Sequence, residues 1–416
     1  MSGHSIDGRP GDLAFVMGGG GARAAYQVGV LRYLSRRFPD LQIPIITGVS
    51  AGAINAAHLA AHHGTFEQAT EELYHLWSNL NVDHVFRTDA GSLGWHLLRW
   101  ARQLVSGGAG SLPPVRGLLD TDPLRAYLTD TMHAIDGELT GINYNLRTDR
   151  LKAVALSTTN YSTGQSVLWV QGQGVKEWER PTRRSRLTTL TVEHVMASAA
   201  LPIVFPAVRL GEHWFGDGGI RLATPLSPAL HLGATHVLAI STRRSPTARQ
   251  ANRATVTGYP PPAQVAGIMM NSVFLDMLDD DAHRLQTINR LLAGLPPEAR
   301  GGMRPVRLLT VRPSVDLARL ANRYEPQLPR AFRFLTRGLG TRQIEAPDFL
   351  SMIMFQPDYL AELIRVGEED AEAREAQLVA LLEPDGSAGT PEAPGEAAGS
   401  IATSGDSIAT DGGKAG

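Results

Sequence analysis

A serine within a glycine-flanked turn is the residue of this chain best placed, by its type and spacing, to carry out chemistry. Ser50 occupies the centre of Gly48-Val49-Ser50-Ala51-Gly52, which is a G-x-S-x-G pattern. In many hydrolases this pattern forms a sharp turn between a strand and a helix, and the turn exposes the serine as a nucleophile. The helix start adds unpaired N–H groups that favour the negative charge of acyl transfer. We therefore predict a nucleophile at Ser50, the alternative being a serine that only caps the helix.

The residues on either side of this pattern have the character that a strand–turn–helix unit requires. An apolar run at 45–47 indicates a buried strand, and the alanine-rich stretch at 53–61 indicates a helix. Gly48 and Gly52 would keep Cβ atoms away from the place where the helix passes close to the strand. The stretch from Ile43 to Ala61 carries no charged residue and is about long enough to cross a bilayer. The turn in its middle favours a buried strand plus a buried helix instead.

Four consecutive glycines, Gly18–Gly21, follow a first predicted strand at Leu13–Met17 and precede a predicted helix. A bare backbone between a strand and a helix brings N–H groups close to a ligand. Two chemistries use such groups, namely the binding of a dinucleotide pyrophosphate and the binding of an oxyanion. A nucleophile elbow needs a donor loop of this kind, so the pattern favours the oxyanion.

The dinucleotide alternative has its own support in the sequence. Gly19-x-Gly21-x-x-Ala24 matches the dinucleotide fingerprint and follows a predicted strand. The acidic residue that should bind the ribose belongs at the end of the second strand. Asp40 has about the right spacing but precedes that strand. An oxidoreductase that uses the loop from Gly18 to Ala24 is therefore kept as an alternative.

An aspartate on a glycine-supported turn is the third candidate. Asp217 ends a predicted short strand that begins at His213, and Gly218 and Gly219 follow it. Asp-Gly is first of all a turn signal. Here the turn comes at a strand end, where the catalytic loops of open α/β sheets gather.

The composition limits the class of protein. The chain has 416 residues, is 43% hydrophobic and 19% charged, and carries a net charge of −2. These values describe a globular chain and give no reason to expect nucleic acid as a partner. The absence of cysteine excludes disulfides, thiolate chemistry and cysteine-based metal sites, and it is compatible with a reducing cytoplasm. Residues 1–11 lack a secretory pattern, so we expect a soluble cytoplasmic protein and leave contact at the membrane periphery open.

Three further stretches carry weaker signals. His58 and His62 share a helical face, but Leu59 stands where a metalloprotease helix has glutamate, so we expect no metal. Gly91–Leu119 is rich in tryptophan and leucine, which fits either a flap that meets a lipid surface or a helix packed on the core. The arginines between Arg180 and Arg186 indicate a solvated loop, with binding of lipid phosphates as the alternative.

The C-terminal part carries no catalytic motif that we can assign. Pro357–Glu383 has the pattern of an amphipathic helix with a break at Gly367. From Pro384 the composition changes to small and acidic residues, which bury too little surface to offset the entropy of ordering. We predict a flexible N-terminus at 1–11, a catalytic domain at 12–345, a helical extension at 346–383 and a disordered tail at 384–416.

Taken together, three motifs in this order resemble the patatin-like phospholipase family in its bacterial type. They are the stretch from Gly18 to Leu31, the Gly48–Gly52 elbow and Asp217-Gly-Gly219, and the resemblance spans roughly residues 12 to 240. The approach to the aspartate, from Ala197 through Pro206, also resembles the family. One departure is Ala24, where the family usually has glycine; we expect altered packing at the helix start and no loss of activity.

The resemblance implies a three-layer α/β/α fold with a central, mostly parallel sheet, to which we add a C-terminal helical extension. It also implies a lipid acyl hydrolase of phospholipase A or lysophospholipase type that works through an acyl-enzyme, without metal or cofactor. Carried onto this chain, it makes Ser50 the nucleophile, Asp217 the base and Gly19, Gly20 and Gly21 the oxyanion hole. The supporting motif positions are Gly18, Arg23, Gly48, Gly52, Gly218 and Gly219. The implied partner is a lipid or phospholipid substrate, and protein partners are left open.

Two functional alternatives remain beside the oxidoreductase. An α/β-hydrolase esterase would use a Ser-Asp-His triad, with His236 or His283 as its third member. A non-catalytic lipid-binding module would keep the fold and show no turnover. For Arg23, the sequence leaves two roles open, namely fixing the glycine loop or steering an anionic head group.

Overall fold

The structure is a computed structural model, and it describes residues 12–87, 117–245, 252, 259–274, 277–330, 332–334 and 348–383. The predicted N-terminus at 1–11, most of the predicted flap at 91–119 and the predicted tail at 384–416 lie outside these residues. The predicted boundary between residues 345 and 346 also lies outside them, so the division into domains stays a prediction.

One mixed sheet forms the centre of the molecule. Its strands in chain order are β1 Leu13–Met17, β2 Ile45–Val49, β3 Ala153–Asn160, β4 Ser166–Gly172, β5 Glu179–Arg180, β6 Arg183–Leu187, β7 Val208–Leu210, β8 His213–Asp217, β9 His236–Ile240 and β10 Arg307–Val311. The spatial order is β10-β9-β1-β2-β3-β4-β6-β5, with β7 and β8 attached through β3. The five strands from β10 to β3 run parallel, as expected for buried apolar strands that alternate with helices.

The described helices surround this sheet. In chain order they are α1 Ala25–Arg37, α2 Ala51–Ala61, α3 Phe66–Ser78, α4 Val82–Val85, α5 Asp122–Thr131, α6 Thr140–Arg147, α7 Val192–Ser198, α8 Ser227–Leu232, α9 Pro262–Phe274, α10 Met277–Ala293, α11 Leu317–Ala321, α12 Asp348–Ile353, α13 Pro357–Glu372 and α14 Glu375–Leu382. Short 3₁₀ turns follow β1 at Gly21–Ala24 and β8 at Gly218–Ile220.

The core is divided between the two faces of the sheet. On one face, side chains such as Phe15 and Ile46 pack with α1, α2, α3 and α13. On the other face, Val16 and Ile45 pack with α8 and α10. Each fully buried leucine or isoleucine contributes roughly 1.5–3 kcal/mol to stability. The predicted three-layer α/β/α fold with a helical C-terminal region is confirmed.

Strand β3 determines where the site forms. Along one edge it pairs with β4 over nearly its whole length. Along its other edge it pairs with β2 as far as Val49 opposite Ser157, and then with β8 starting at Asp217 opposite Thr158. Because these two pairings meet at consecutive residues of β3, the end of β2 and the end of β8 face each other. The two segments that carry Ser50 and Asp217 are thereby brought together.

Two predictions about secondary structure are wrong. The stretch from Arg180 to Arg186 is not a solvated loop, because its residues form β5 and β6 at the edge of the sheet. Strand β4 offers backbone groups to pair with, and this pairing outweighs the polar composition. Arg183 also donates to Thr224 Oγ1 at 2.6 Å, and Arg186 donates to Glu177 Oε2 at 2.9 Å.

The second correction concerns the C-terminal helix, which does not break at Gly367. Helix α13 passes through this residue and ends at Glu372. A Cβ at Gly367 would overlap the carbonyl oxygen of Tyr26, and one at Gly29 would overlap the carbonyl oxygen of Ile364. The glycine therefore allows α1 and α13 to cross in close contact. Within the described residues, no helix combines the length and the apolar character needed to span a bilayer.

Candidate active site

The turn around Ser50 has the strained geometry that its sequence predicts. Strand β2 ends at Val49, helix α2 begins at Ala51, and Ser50 between them has a φ of 57°. Such a conformation costs a non-glycine residue on the order of 1–3 kcal/mol and persists only where the surroundings impose it. The Ser50 side chain makes no capping hydrogen bond. The alternative role of Ser50 as an ordinary helix cap is therefore wrong.

The flanking glycines make this turn possible. A Cβ at Gly48 would lie too close to Ala53 of α2, and a Cβ at Gly52 would overlap the carbonyl oxygens of Met17 and Gly18. Both positions are thus places where helix and strand pass with no room for a side chain.

A buried serine that the sequence analysis did not single out also supports the turn. The N–H of Ser50 donates to Ser198 Oγ at 3.0 Å, and Ser198 Oγ donates to the carbonyl of Ser157 at 2.7 Å. Ser198 thus ties the elbow to β3. Its place in the Ala197–Pro206 stretch was the only signal in the sequence, and spacing alone does not show this contact.

Asp217 lies beside Ser50 and is completely buried. Its Oδ1 accepts a hydrogen bond from the N–H of Gly219 at 2.8 Å. Its Oδ2 has no hydrogen bond of ordinary geometry with any described residue. Gly218 allows the turn to pass the carbonyl oxygen of Ser157, which a Cβ would overlap. The carboxylate is therefore held through one oxygen while the other stays unpaired.

Burial controls the charge of this carboxyl group. It raises the pKa of Asp217 from an ordinary 3.8 to about 7, against the opposing effects of the Ser50 hydroxyl and the Gly219 N–H. Since Oδ2 has no partner at ordinary hydrogen-bond geometry, the Ser50 contact is looser than a full hydrogen bond. A group with this pKa can both accept and return a proton near neutral pH.

The glycine loop lies directly against the serine. A Cβ at Gly19 would be 3.0 Å from Ser50 Cβ, which is tighter than ordinary van der Waals contact, so glycine favours this approach. Gly20 has a φ of 141°, a backbone conformation that other residues rarely adopt. At Gly21 the loop meets the carbonyl of Met352, and the N–H of Gly18 donates to the carbonyl of Ile240 at 3.3 Å.

The side chain of Arg23 contacts the C-terminal part of the chain. Its side chain is only 4% exposed. Nε donates to Ser351 Oγ at 2.8 Å, and Nη2 lies 2.5 Å from Asp348 Oδ1. Of the two roles that the sequence leaves open for Arg23, the structure favours fixing the loop. Asp348 and Ser351 carry no motif, so the sequence analysis missed both.

A cleft of about 580 Å³, measured together with its mouth, opens beside Ser50. Its walls are almost entirely apolar, and the C-terminal helix α12 and the residues after it form one side. The lining residues are Gly20, Gly21, Ser50, Ala51, Ile54, Trp77, Leu80, Val85, Leu124, Ala199, Leu201, Phe205, Met352, Ile353 and Phe355. Apolar walls beside a nucleophile suit an acyl chain or a similar apolar group.

The residues that the alternatives require lie elsewhere. His236 is the first residue of β9 and pairs with Leu13, so it is at the end of the parallel strands opposite to Ser50. His283 is exposed on α10. Asp40 precedes β2, also at the end of the sheet opposite to the glycine loop. Neither the triad nor the dinucleotide site is assembled among the described residues.

Each histidine of the pair, His58 on α2 and His62 directly after it, has a protein group as its partner. Nε2 of His58 lies 3.1 Å from the carbonyl of Ala69, and burial lowers the pKa of His58 to about 4. His62 lies 3.2 Å from Glu72. Across the part of the chain that the structure describes, no group of three or more acidic or histidine residues is arranged to hold a metal.

Several solved structures are similar to this chain. Human GIVD cytosolic phospholipase A2, solved with methyl gamma-linolenyl fluorophosphonate, is 13% identical at a TM-score of 0.42, and the match covers 90% of this chain and 59% of that chain. VipD from Legionella pneumophila is 12% identical at a TM-score of 0.32, over 86% of this chain and 67% of that one. ExoU of Pseudomonas aeruginosa, in complex with SpcU, is 13% identical at a TM-score of 0.27, and the match covers 89% of this chain and 77% of that chain.

No curated protein sequence matches the chain. The model of the family described as patatin-like phospholipase matches residues 15–230, which is more than half of the chain and includes both Ser50 and Asp217. The predicted resemblance is thereby confirmed: the chain belongs to the patatin-like phospholipase family.

Proposed function

We propose that this protein hydrolyses the carboxylic esters of lipid acyl chains, with Ser50 as nucleophile and Asp217 as general base. The observation that carries the proposal is the pairing of a strained, cleft-lining serine with a buried aspartate whose Oδ2 is unpaired. A carboxylate at its ordinary pKa is a poor base for a hydroxyl group. The raised pKa of Asp217, about 7, makes it a better one.

The reaction proceeds in two steps. Ser50 Oγ attacks the ester carbonyl carbon while its proton passes to Asp217, and the carbonyl oxygen becomes an oxyanion. The N–H groups of the loop at Gly19, Gly20 and Gly21 stabilise this oxyanion. When the intermediate collapses, the bond to the alcohol breaks and the alcohol leaves with the proton from Asp217. Water then attacks the acyl-enzyme, gives its proton to Asp217, and the fatty acid leaves as Ser50 regains the proton.

The cleft favours a lipid over a small polar ester. Apart from the glycine backbone and Ser50, its walls are apolar side chains, including Trp77, Phe205 and Phe355. Each methylene buried there contributes about 0.8 kcal/mol to binding. We therefore propose a phospholipase A or lysophospholipase type of activity, with the substrate taken from a lipid surface at the membrane periphery.

Labelling by a fluorophosphonate probe tests the nucleophile. The probe phosphonylates an activated serine, so the wild-type protein should be labelled and Ser50→Ala should not be. Ser162→Ala is the matched control, because Ser162 lies on the β3–β4 turn away from the cleft lining. Equal labelling of Ser50→Ala and wild type would overturn the proposal.

Release of fatty acid then separates the activity types. Vesicles of diacyl phosphatidylcholine and micelles of monoacyl phosphatidylcholine are each incubated with both proteins. Hydrolysis of either by the wild type alone supports a lipid hydrolase, and the ratio of the two rates distinguishes phospholipase A from lysophospholipase activity. Binding to vesicles with no turnover and no labelling would instead indicate a non-catalytic lipid-binding module.

A further inference from the structure

Two buried side chains, Gln27 in the Gly18–Leu31 motif and Thr242 just after β9, hold the carbonyl groups of the glycine loop. We propose that Gln27 and Thr242 are positioning residues that set the direction of the Gly19 and Gly20 N–H groups, and thereby form the oxyanion hole. The inference rests on the proposed ester hydrolysis and assigns residues that set its rate.

The hydrogen bonds are specific. Gln27 Nε2 donates to the carbonyl of Gly18 at 2.7 Å and to that of Ile240 at 3.2 Å. Thr242 Oγ1 donates to the carbonyl of Gly19 at 2.5 Å. Both side chains are essentially inaccessible to solvent. Two successive carbonyls of the loop are therefore each held by one side chain.

Peptide planarity converts these contacts into control of the donors. In a trans peptide the C=O of one residue and the N–H of the next point in opposite directions. Holding the Gly18 carbonyl fixes the N–H of Gly19, and holding the Gly19 carbonyl fixes the N–H of Gly20. No described residue accepts a hydrogen bond from either N–H group. Both donors are therefore available to a ligand at Ser50, against which Gly19 packs.

Glycine makes such control necessary. A run of four glycines has more backbone freedom than any other sequence, and each peptide plane can rotate at little steric cost. A rotation that turned the Gly19 carbonyl into the cleft would replace a donor with an acceptor and repel the oxyanion. The Thr242 hydroxyl opposes this rotation because it holds the Gly19 carbonyl. The peptide that it holds leads into Gly20, whose φ is 141°.

The orientation of the Gln27 amide is itself fixed. Gln27 Oε1 accepts from Asn55 Nδ2 at 2.8 Å, and Asn55 Oδ1 accepts from Trp77 Nε1 at 2.7 Å. Because the indole N–H can only donate, the chain of bonds has one direction. It leaves the NH₂ group of Gln27 facing the loop. This network links a wall of the cleft, Trp77, to the donors of the site.

The test compares Thr242→Val with Thr242→Ser, using 4-nitrophenyl butyrate and the fluorophosphonate probe. Valine keeps the shape of threonine and removes the hydroxyl, so we expect kcat to fall about 10- to 100-fold with KM nearly unchanged; loss of a whole oxyanion donor costs about 10²–10³. Thr242→Ser restores the hydroxyl and should recover most of kcat. The rate of phosphonylation should follow kcat, because the probe also places an oxygen in the hole.

Thr70→Val is the control for loss of a buried hydroxyl, and Gln27→Met is a second variant that tests the same inference. Thr70 is also buried and donates to a carbonyl, that of Glu67, but lies on α3 away from the loop, so Thr70→Val should leave kcat unchanged. If Thr242→Val does not fold, Gln27→Met tests the other carbonyl and should also lower kcat with KM nearly unchanged. A folded Thr242→Val or Gln27→Met protein with wild-type kcat would overturn the inference. An inactive wild type would instead contradict the proposed function.

Discussion

Two of the segments that form the candidate site contribute to it in different ways. The amino-terminal segment, residues 13–61, supplies Ser50 and the glycine loop through short connections between strands and helices. The carboxy-terminal segment, residues 348–372, supplies apolar wall residues, and Asp348 and Ser351 hold Arg23. The position of Ser50 and of the glycine loop depends on local backbone geometry. The shape of the cleft depends on contacts between parts of the chain far apart in sequence.

The sharpest test of this difference removes the base and leaves the wall unchanged. In Asp217→Asn the amide cannot accept the proton of Ser50, so kcat with 4-nitrophenyl butyrate should fall about 10²–10⁴-fold. Asp281→Asn is the matched control: Asp281 is partly buried, accepts the N–H of Leu226, and has a pKa raised by burial. Its replacement should leave kcat near wild type. Comparable losses in the two variants would show that the effect is not specific to the site.

The same aspartate should make stability depend on pH. Its pKa is about 7 in the folded protein and an ordinary 3.8 when unfolded, so the folded state binds the proton more tightly. The free energy of unfolding that protonated Asp217 contributes is therefore present at about pH 4 and is lost as the pH rises through about 7. Asp217→Asn avoids the buried charge and should be more stable than wild type above pH 7, by as much as about 4 kcal/mol.

Urea unfolding of wild type and Asp217→Asn at about pH 4 and about pH 8 measures this difference. The gain should be largest at the higher pH and nearly vanish at the lower one. In the wild type, kcat/KM should rise over the same interval, because only the ionised carboxylate accepts a proton. A stability difference that does not change with pH would contradict the assignment of the raised pKa.

These outcomes bear on how much the sequence predicts. The Ser50 turn and the Asp217 turn were predicted because glycines and strand ends are local patterns, and the fold followed from alternating strands and helices. Their approach to each other comes from consecutive pairings along β3, which no spacing reveals. The C-terminal contacts were missed for the same reason. A Gly367 that allows close helix packing has the same sequence pattern as one that ends a helix.

Weakening the carboxy-terminal contact should change selectivity more than chemistry. Asp348→Asn keeps a hydrogen-bond acceptor for Arg23 but removes the charge, and it should loosen the wall that includes Met352, Ile353 and Phe355. Losing the contacts of one or two methylenes costs roughly 1 kcal/mol, so the ratio of kcat/KM for 4-nitrophenyl palmitate to that for the butyrate should fall about 5-fold.

Asp358→Asn is the control for this change, because Asp358 is an exposed acid on the neighbouring helix α13. It should keep the wild-type ratio. If Asp348→Asn instead reduced hydrolysis of both esters equally, the two segments would not divide the work between selectivity and chemistry as we propose.

The smallest effect is expected for the histidines. A Ser-Asp dyad needs no histidine, and no described histidine lines the cleft. Replacing His58, His213, His236 or His283 singly by alanine should leave kcat within about threefold of wild type in folded protein, since loss of a triad histidine costs orders of magnitude. Circular dichroism confirms folding, above all for the buried His58. Loss of activity as complete as in Ser50→Ala, in any one folded variant, would restore the triad alternative.

The contact of Arg23 with Ser351 also has a consequence for the order in which the protein is made. The two residues are 328 positions apart, so Ser351 is synthesised long after Arg23. A nascent polypeptide already contains Ser50 and the glycine loop, but it has neither the ion pair to Asp348 nor the cleft wall formed by Met352, Ile353 and Phe355. Since domains emerge from the ribosome with the amino end first, the glycine loop is made before the residues that hold Arg23 and complete the cleft wall.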